Sequence, residues 1–179
     1  MTKRNSIFSV ALLFIFFAGS AMAEPKNGFG LNAGTASHNR DCGGCTGSST
    51  SGLSLGMDYQ FALSDKFSLS PFLMTSSESS SNVSGVAVGH GILGAQLRYW
   101  AGDMFFGGHL GSYSEVLVSG GTSVSGTGGG SGLVAGWEKP DGGLYVMGQF
   151  DSAKVTYSSL GNSDIKFTAF RLSVGYRWK

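Results

Sequence analysis

Phe170-Arg171-Leu172-Ser173-Val174-Gly175-Tyr176-Arg177-Trp178, at the end of the chain, alternates large apolar side chains with charged or small ones over nine residues. A period of two is the period of a β-strand, whose successive side chains point to opposite faces. Leu53-Ser54-Leu55-Gly56-Met57-Asp58-Tyr59-Gln60-Phe61 repeats the pattern over another nine. Nine residues match the ~9–11 of a tilted strand that crosses a bilayer. Weaker versions run through Phe29/Leu31/Ala33, Phe67/Leu69/Leu73, Leu93/Ala95/Leu97/Tyr99, Met104/Phe106/Leu110, Leu133/Ala135/Trp137 and Leu144/Val146/Phe150. That makes eight strands. A soluble sandwich would leave the apolar face of 53–61 partly in water, so the solvent for that face is hydrocarbon.

Parity then constrains the connections, because a slip of one residue moves a side chain to the other face. It allows a three-residue turn Ser64-Asp65-Lys66, a two-residue turn Gly102-Asp103, and Asp141-Gly142 as a type I′ hairpin signal. The alternate connections, about 36–51, 77–85, 119–131 and 158–164, are rich in Gly and Ser and read as long loops. Short turns at one end and long loops at the other are the layout of an outer-membrane barrel, all-β, antiparallel and up-and-down. Hydrocarbon leaves no partner for an unpaired backbone group, so the eighth strand must close on the first.

Aromatic residues cluster near the short-turn end: Phe29, Tyr59, Phe61, Phe67, Tyr99, Trp100, Phe105, Phe106, Trp137, Tyr145, Tyr176 and Trp178. They are expected to form an interfacial girdle, with Tyr113, Tyr157 and Phe167 as a thinner one at the far end. Pro71 lacks a ladder donor and predicts a bulge or early end in the third strand. Val86, Val88 and Ile92 are out of phase with Leu93, Ala95 and Leu97, which predicts a bulge at Gly89-His90-Gly91.

Upstream of the first strand, Lys3 and Arg4 precede an apolar run from Ile7 to Ala18, and Ala21-Met22-Ala23 is a small-x-small site. The run is too short to span ~30 Å and reads as a cleaved secretory signal peptide, residues 1–23, ahead of a single barrel domain, 24–179. Composition agrees with a membrane barrel. The chain has 30 Gly and 28 Ser, yet 12% aromatic residues and only 13% charged ones. Disordered chains are poor in aromatics and rich in charge, which excludes disorder. Losing Lys3 and Arg4 turns the net charge from +1 to −1, so no basic field recruits nucleic acid.

Signal peptide, eight alternating strands and the terminal Phe170, Leu172, Val174, Tyr176, Trp178 together resemble the OmpA/OmpX-like and opacity-type family of small outer-membrane barrels. The resemblance implies a multi-pass protein of the Gram-negative outer membrane with both termini in the periplasm. It also implies that the terminal strand is read by the barrel-assembly machinery, although here Lys179 follows the aromatic that usually ends the chain. The family contains adhesins, complement-evasion proteins, anchors and a few lipid A enzymes.

An eight-stranded barrel has an interior that side chains just fill. The inward set by parity is Asp58, Gln60, Gln96, Arg98, His109, Glu115, Glu138, Gln149, Asp151, Arg171 and Arg177. Charges in so narrow a space must pair, which predicts a polar plug. A hairpin centred on Gly161 sets Asp151 opposite Arg171 as one ion pair. An acyl-transfer site would need His, Ser and a carboxylate in reach. The nearest set is His109, Ser112, Ser114 and Glu115, but His109 and Ser112 have opposite parity. His109 reads as a lumenal hydrogen-bonding residue, and His38 and His90 as solvated rim residues. Cys42 and Cys45 lie in a Gly/Ser stretch of an exported chain, which favours a disulfide over a metal or redox site. No catalytic residue, cofactor or metal ligand is assigned. The expectation is a monomeric surface or structural scaffold, in contact with lipid and lipopolysaccharide, whose four far-end loops meet an extracellular ligand. A lipid A-modifying enzyme or a narrow pore is the alternative.

Overall fold

The computed structural model describes residues 24–41, 48–80, 85–139, 141–161 and 163–179. Eight antiparallel strands close into one barrel in chain order: β1 Gly28–Asp41, β2 Ser48–Ala62, β3 Phe67–Ser80, β4 Val86–Ala101, β5 Met104–Ser119, β6 Thr122–Glu138, β7 Gly143–Tyr157 and β8 Ser163–Trp178. Closure runs from Phe29↔Trp178 to Asp41↔Lys166, so β1 and β8 share a full ladder and no sheet edge is left along the wall. No helix of the described residues is long and apolar enough to cross a membrane. The crossing is made by strands.

Alternation sorts the side chains as expected. Leu53, Leu110 and Leu133 are 73%, 72% and 68% exposed, and Phe170, Leu172, Val174, Tyr176 and Trp178 all face outward on β8. This apolar belt occupies the half of the wall nearer the chain termini. Beyond it most outward positions are polar, among them Thr75, Ser77, Ser112, Ser114, Ser123, Ser125 and Thr127, with Val116 and Val118 as apolar exceptions on β5. Strands of 14–17 residues exceed the ~9–11 that a bilayer needs, and the surplus is this polar collar.

The collar corrects the expectation of long loops. The Gly/Ser stretches at 48–51, 77–80 and 122–131 continue the ladder as strand, and β5 and β6 are joined by Gly120-Gly121 alone, both at positive φ. Low side-chain bulk does not prevent pairing when both neighbouring strands supply continuous partners. Gly102-Asp103 is the two-residue link expected between β4 and β5, with Gly102 at φ +64°. The other two short turns differ. The β2–β3 link spans 63–66, where Phe67 O accepts from the Leu63 and Ser64 amides. The β6–β7 link spans 139–142 and closes by a Gly142 N–H donated to Lys139 O, not by a two-residue Asp141-Gly142 loop.

Neither expected bulge forms. β4 pairs in unbroken register with β3 from Phe67↔Tyr99 to Ser79↔Ala87, and with β5 along its whole length. The phase break is resolved another way: Val88 and Ile92 face inward and are buried. At Pro71 the β2–β3 ladder lapses between Asp58↔Phe72 and Phe61↔Leu69, but the register on either side is the same. The missing amide costs a rung and no shift.

The aromatic residues also divide. Phe29, Tyr59, Phe61, Phe67, Tyr99, Tyr176 and Trp178 are exposed at the terminal end, where a girdle belongs. Trp100, Phe105 and Tyr145 are buried inside, as are Tyr113, Tyr157 and Phe167, so these three form no far-end girdle. Adjacent strand residues face opposite ways, so of each pair Tyr99/Trp100 and Phe105/Phe106 one ring must enter the lumen. Glycine makes the room. A Cβ on Gly175 would lie 2.3 Å from Tyr145 Cζ, and one on Gly132 would lie 2.4 Å from His109 Cε1.

Candidate functional site

All eleven residues assigned inward by parity are buried in the lumen. They form two layers. At the terminal end, Asp58 on β2 accepts through Oδ2 from Arg98 Nη2 at 3.2 Å and from Arg177 Nη2 at 2.9 Å. Glu138 Oε1 lies 2.9 Å from both Arg177 Nε and Lys179 Nζ. Gln60 and Gln96 accept from Arg98, so that guanidinium is satisfied on several sides. Aromatic faces complete the shell: Arg98 lies 4.8 Å from the Phe105 centroid, Arg177 5.2 Å from Tyr145 and Lys179 5.8 Å from Trp100. Trp100 Nε1 donates to Ser68 Oγ at 2.9 Å.

The second layer, toward the far end, is built on histidine. His38 on β1 and His90 on β4 stack with centroids 3.8 Å apart and planes 5° from parallel. Glu78 on β3 lies at the edge of this stack: its Oε1 is 2.5 Å from His38 Nδ1 and its Oε2 is 3.8 Å from His90 Nε2. Thr50 and Ser76 donate to the same carboxylate at 2.6 and 2.8 Å. Arg40 Nη2 lies 3.0 Å from His90 Nε2, and Arg171 Nη2 lies 2.9 Å from His38 Nε2. An arginine can only donate, so these ring nitrogens accept and the Nδ1 atoms carry the protons. A carboxylate lies close to each of these Nδ1 atoms, Glu78 to His38 and Glu115 at 3.2 Å to His90. Both imidazoles are thus held as defined neutral tautomers, each between an arginine and a glutamate.

His38 and His90 are therefore not solvated rim residues; they are 0% and 3% exposed. Sequence reasoning misses His38, Arg40 and Glu78 because the stretches 36–51 and 77–85 read as loop, and His90 because a bulge is expected at Gly89-His90-Gly91. Continuing the β1 parity past Asn32 and Ala36 would have placed His38 and Arg40 inside, and the β3 parity would have done the same for Glu78.

Arg171 Nη1 and Asp151 Oδ2 form an ion pair, although not straight across the hairpin. The register sets Gln149 opposite Arg171 and Asp151 opposite Ala169, two residues from the symmetric expectation. The turn Ser158–Leu160 centres the hairpin one residue earlier than Gly161. The pair is diagonal, within reach of a long side chain. Asp151 Oδ1 also lies 2.7 Å from His109 Nε2 and accepts from Tyr113 Oη at 2.8 Å and Gln149 Nε2 at 2.9 Å. Ser112 and Ser114 face outward, away from His109, so the acyl-transfer constellation does not assemble. Glu115 is occupied by Arg40 at 3.1 Å and by the Tyr157 hydroxyl. Cys42 and Cys45 lie outside the described residues.

No protein-family model matches the chain, and no curated protein matches it. Solved structures do. Ail, the attachment invasion locus protein of Yersinia pestis, superposes with a TM-score of 0.58 at 15% identity, covering 86% of this chain and 100% of that one. Neisserial surface protein A gives 0.58 at 14%, covering 84% and 96%. A second structure of Ail, in complex with the heparin analogue sucrose octasulfate, gives 0.55 at 15%. Such identities carry the architecture alone. By its closed wall, its apolar belt and these superpositions, the chain has the fold of the small eight-stranded barrels of the Gram-negative outer membrane.

Proposed function

We propose that this chain is a non-enzymatic scaffold of the outer membrane, a sealed barrel whose polar collar and far-end connections face the exterior. One observation carries the reading: the lumen is filled by two layers of paired charges and inward aromatic rings rather than left as a water channel. Among the described residues no hydroxyl or thiol nucleophile of Ser, Thr or Cys faces His109, and Arg40, Arg98, Arg171 and Arg177 are each committed to a carboxylate. The charges exposed at the far end, Asp41, Lys154, Asp164 and Lys166, balance among the described residues, and Lys154 Nζ is 2.6 Å from Asp164 Oδ2. A partner there would meet hydroxyls and backbone more than net charge. The polyanion seen on Ail therefore has no evident counterpart on this chain. The signal peptide 1–23, reading of the terminal strand by the assembly machinery, a Cys42–Cys45 disulfide and a monomeric state belong to the same proposal.

Planar-bilayer recording tests the seal: rare, small current steps are expected, and large stable channels would overturn the scaffold in favour of a pore. Impermeant thiol labelling of intact cells tests the topology. Cys42 and Cys45 should label only after reduction; labelling without reductant would sink the disulfide, and none after it the orientation.

A further inference from the structure

We propose that the histidine layer binds one divalent transition-metal ion through His38, Glu78 and His90. The donor atoms of these three residues come from β1, β3 and β4, lie within 4.8 Å of one another and are buried. Two imidazoles and a carboxylate form the donor set that suits zinc, copper or nickel, and three protein ligands leave one position for water.

Charge supplies the second observation. Among the described residues this layer holds three carboxylates, Glu78, Glu115 and Asp151, against two guanidiniums. Glu115 is paired with Arg40, and Asp151 with Arg171. Glu78 is left with two neutral rings and two hydroxyls. An anion buried without a cation is costly, and the residues around it are metal ligands. Thr50 and Ser76 hold the carboxylate in place, as outer-shell donors do at metal sites.

Binding requires rearrangement. His38 would move its proton from Nδ1 to Nε2, so Arg171 Nη2 would leave that nitrogen. Arg40 Nη2 would leave His90 Nε2, and the two stacked rings would turn out of parallel to aim their lone pairs at one ion. Arg40 keeps Glu115 through Nε and Thr50 through Nη1, and Arg171 keeps Asp151 through Nη1. A coordinated nitrogen must be unprotonated, and a neutral imidazole meets this by placing its one proton on the other nitrogen. The rival occupant of the same charge deficit is a single proton on one imidazole.

The test uses tag-free, folded barrel in detergent, stripped with chelator and titrated with Zn2+ and then with Co2+. One equivalent is expected, with visible Co2+ d–d bands, and X-ray absorption should show two imidazoles around the metal. His90→Gln and Glu78→Gln should weaken binding at least tenfold while heat-modifiable gel migration stays unchanged. No bound equivalent, or an oxygen-only shell, would overturn the site and leave the proton as its occupant. Variants that fold and bind as tightly as the parent would overturn it as well. Should both variants misfold, the absorption spectrum of the parent protein decides alone.

Discussion

The two ends of the lumen solve the same problem with different side chains. Near the termini, Asp58 and Glu138 face Arg98, Arg177 and Lys179, so cations are in surplus and no histidine is present among the described residues. Toward the far end, Glu78, Glu115 and Asp151 face Arg40 and Arg171, and three histidines fill the gaps. Guanidinium stays charged at any physiological pH, and its surplus charge can lie over aromatic faces. A neutral imidazole donates through one nitrogen and accepts through the other, so its hydrogen bonds can be exchanged between partners. The terminal end is thus a fixed lock, and the far end an adjustable one. The lock sits at the level of the apolar belt, the adjustable layer toward the collar.

Breaking one carboxylate in each layer should expose the difference, and the terminal layer should suffer most. Asp58→Asn removes the anion shared by Arg98 and Arg177, leaving Glu138 alone against three cations. The expected cost is about 3–5 kcal/mol, the usual penalty for a buried charge that loses its partner. Glu115→Gln removes an anion from a layer that has one to spare, and the amide still accepts from Arg40. A cost of about 1–3 kcal/mol is expected. Denaturant unfolding in lipid vesicles measures both. Equal losses would abolish the distinction between the two ends.

Asp151 and Arg171 form the seam of the far layer with the middle of the barrel. A cycle of Asp151→Asn, Arg171→Gln and the double variant should give a coupling of about 1–3 kcal/mol, as expected for residues in one buried network. Coupling near zero would mean that His109, Tyr113 and Gln149 hold Asp151 unaided.

Packing is tested by two glycines at different heights. On Gly132 a Cβ would lie 2.1 Å from Phe150 O as well as against His109, so Gly132→Ala should cost about 1–3 kcal/mol. At Gly120, in the β5–β6 turn, nothing lies within 4 Å but φ is +56°. Gly120→Ala should cost about 1 kcal/mol from backbone conformation alone. A reversed order would show that the wall yields more readily than the turn.

Much of this was legible before any coordinates, because alternation carries both fold and lumen. Leu53–Phe61 and Phe170–Trp178 mark two strands outright, and eleven inward polar residues follow from parity. Legibility failed where bulk vanished. Ser48–Ser51 and Thr122–Ser131 have no apolar stripe, so strand and loop look alike in sequence, and the ladder to neighbouring strands decides. His38 is lost with the loop expected over 36–51, and His90 with the bulge expected at Gly89-His90-Gly91. The bulge expected at Gly89–Gly91 rested on the assumption that Val88 and Ile92 face lipid; a lumen with its own apolar filling removes the need for it. The Asp151–Arg171 register depended on the shape of a turn, and turn geometry is set by backbone conformation that no pattern of side chains reports.

The smallest expected effect lies outside the wall. Lys26 Nζ donates to Asp141 Oδ1 at 2.9 Å, tying the segment before β1 to the β6–β7 turn, and both side chains are largely in water. This hydrogen bond and the ammonium charge hold the Asp141 carboxyl below its ordinary range. A carboxyl with a lowered folded-state value adds stability above its unfolded value and loses it as pH falls through the folded one. The contribution should therefore be present at neutral pH and fade only in acid. Exposed pairs are screened by salt within ~10 Å at 0.1 M. Asp141→Asn should leave the unfolding midpoint unchanged in 0.5 M salt and lower it slightly, if at all, in 10 mM salt at pH 7. A salt-insensitive loss would mean that the segment before β1 is part of the lock, reaching it through the Gln60 amide that donates to Lys26 O at 3.0 Å.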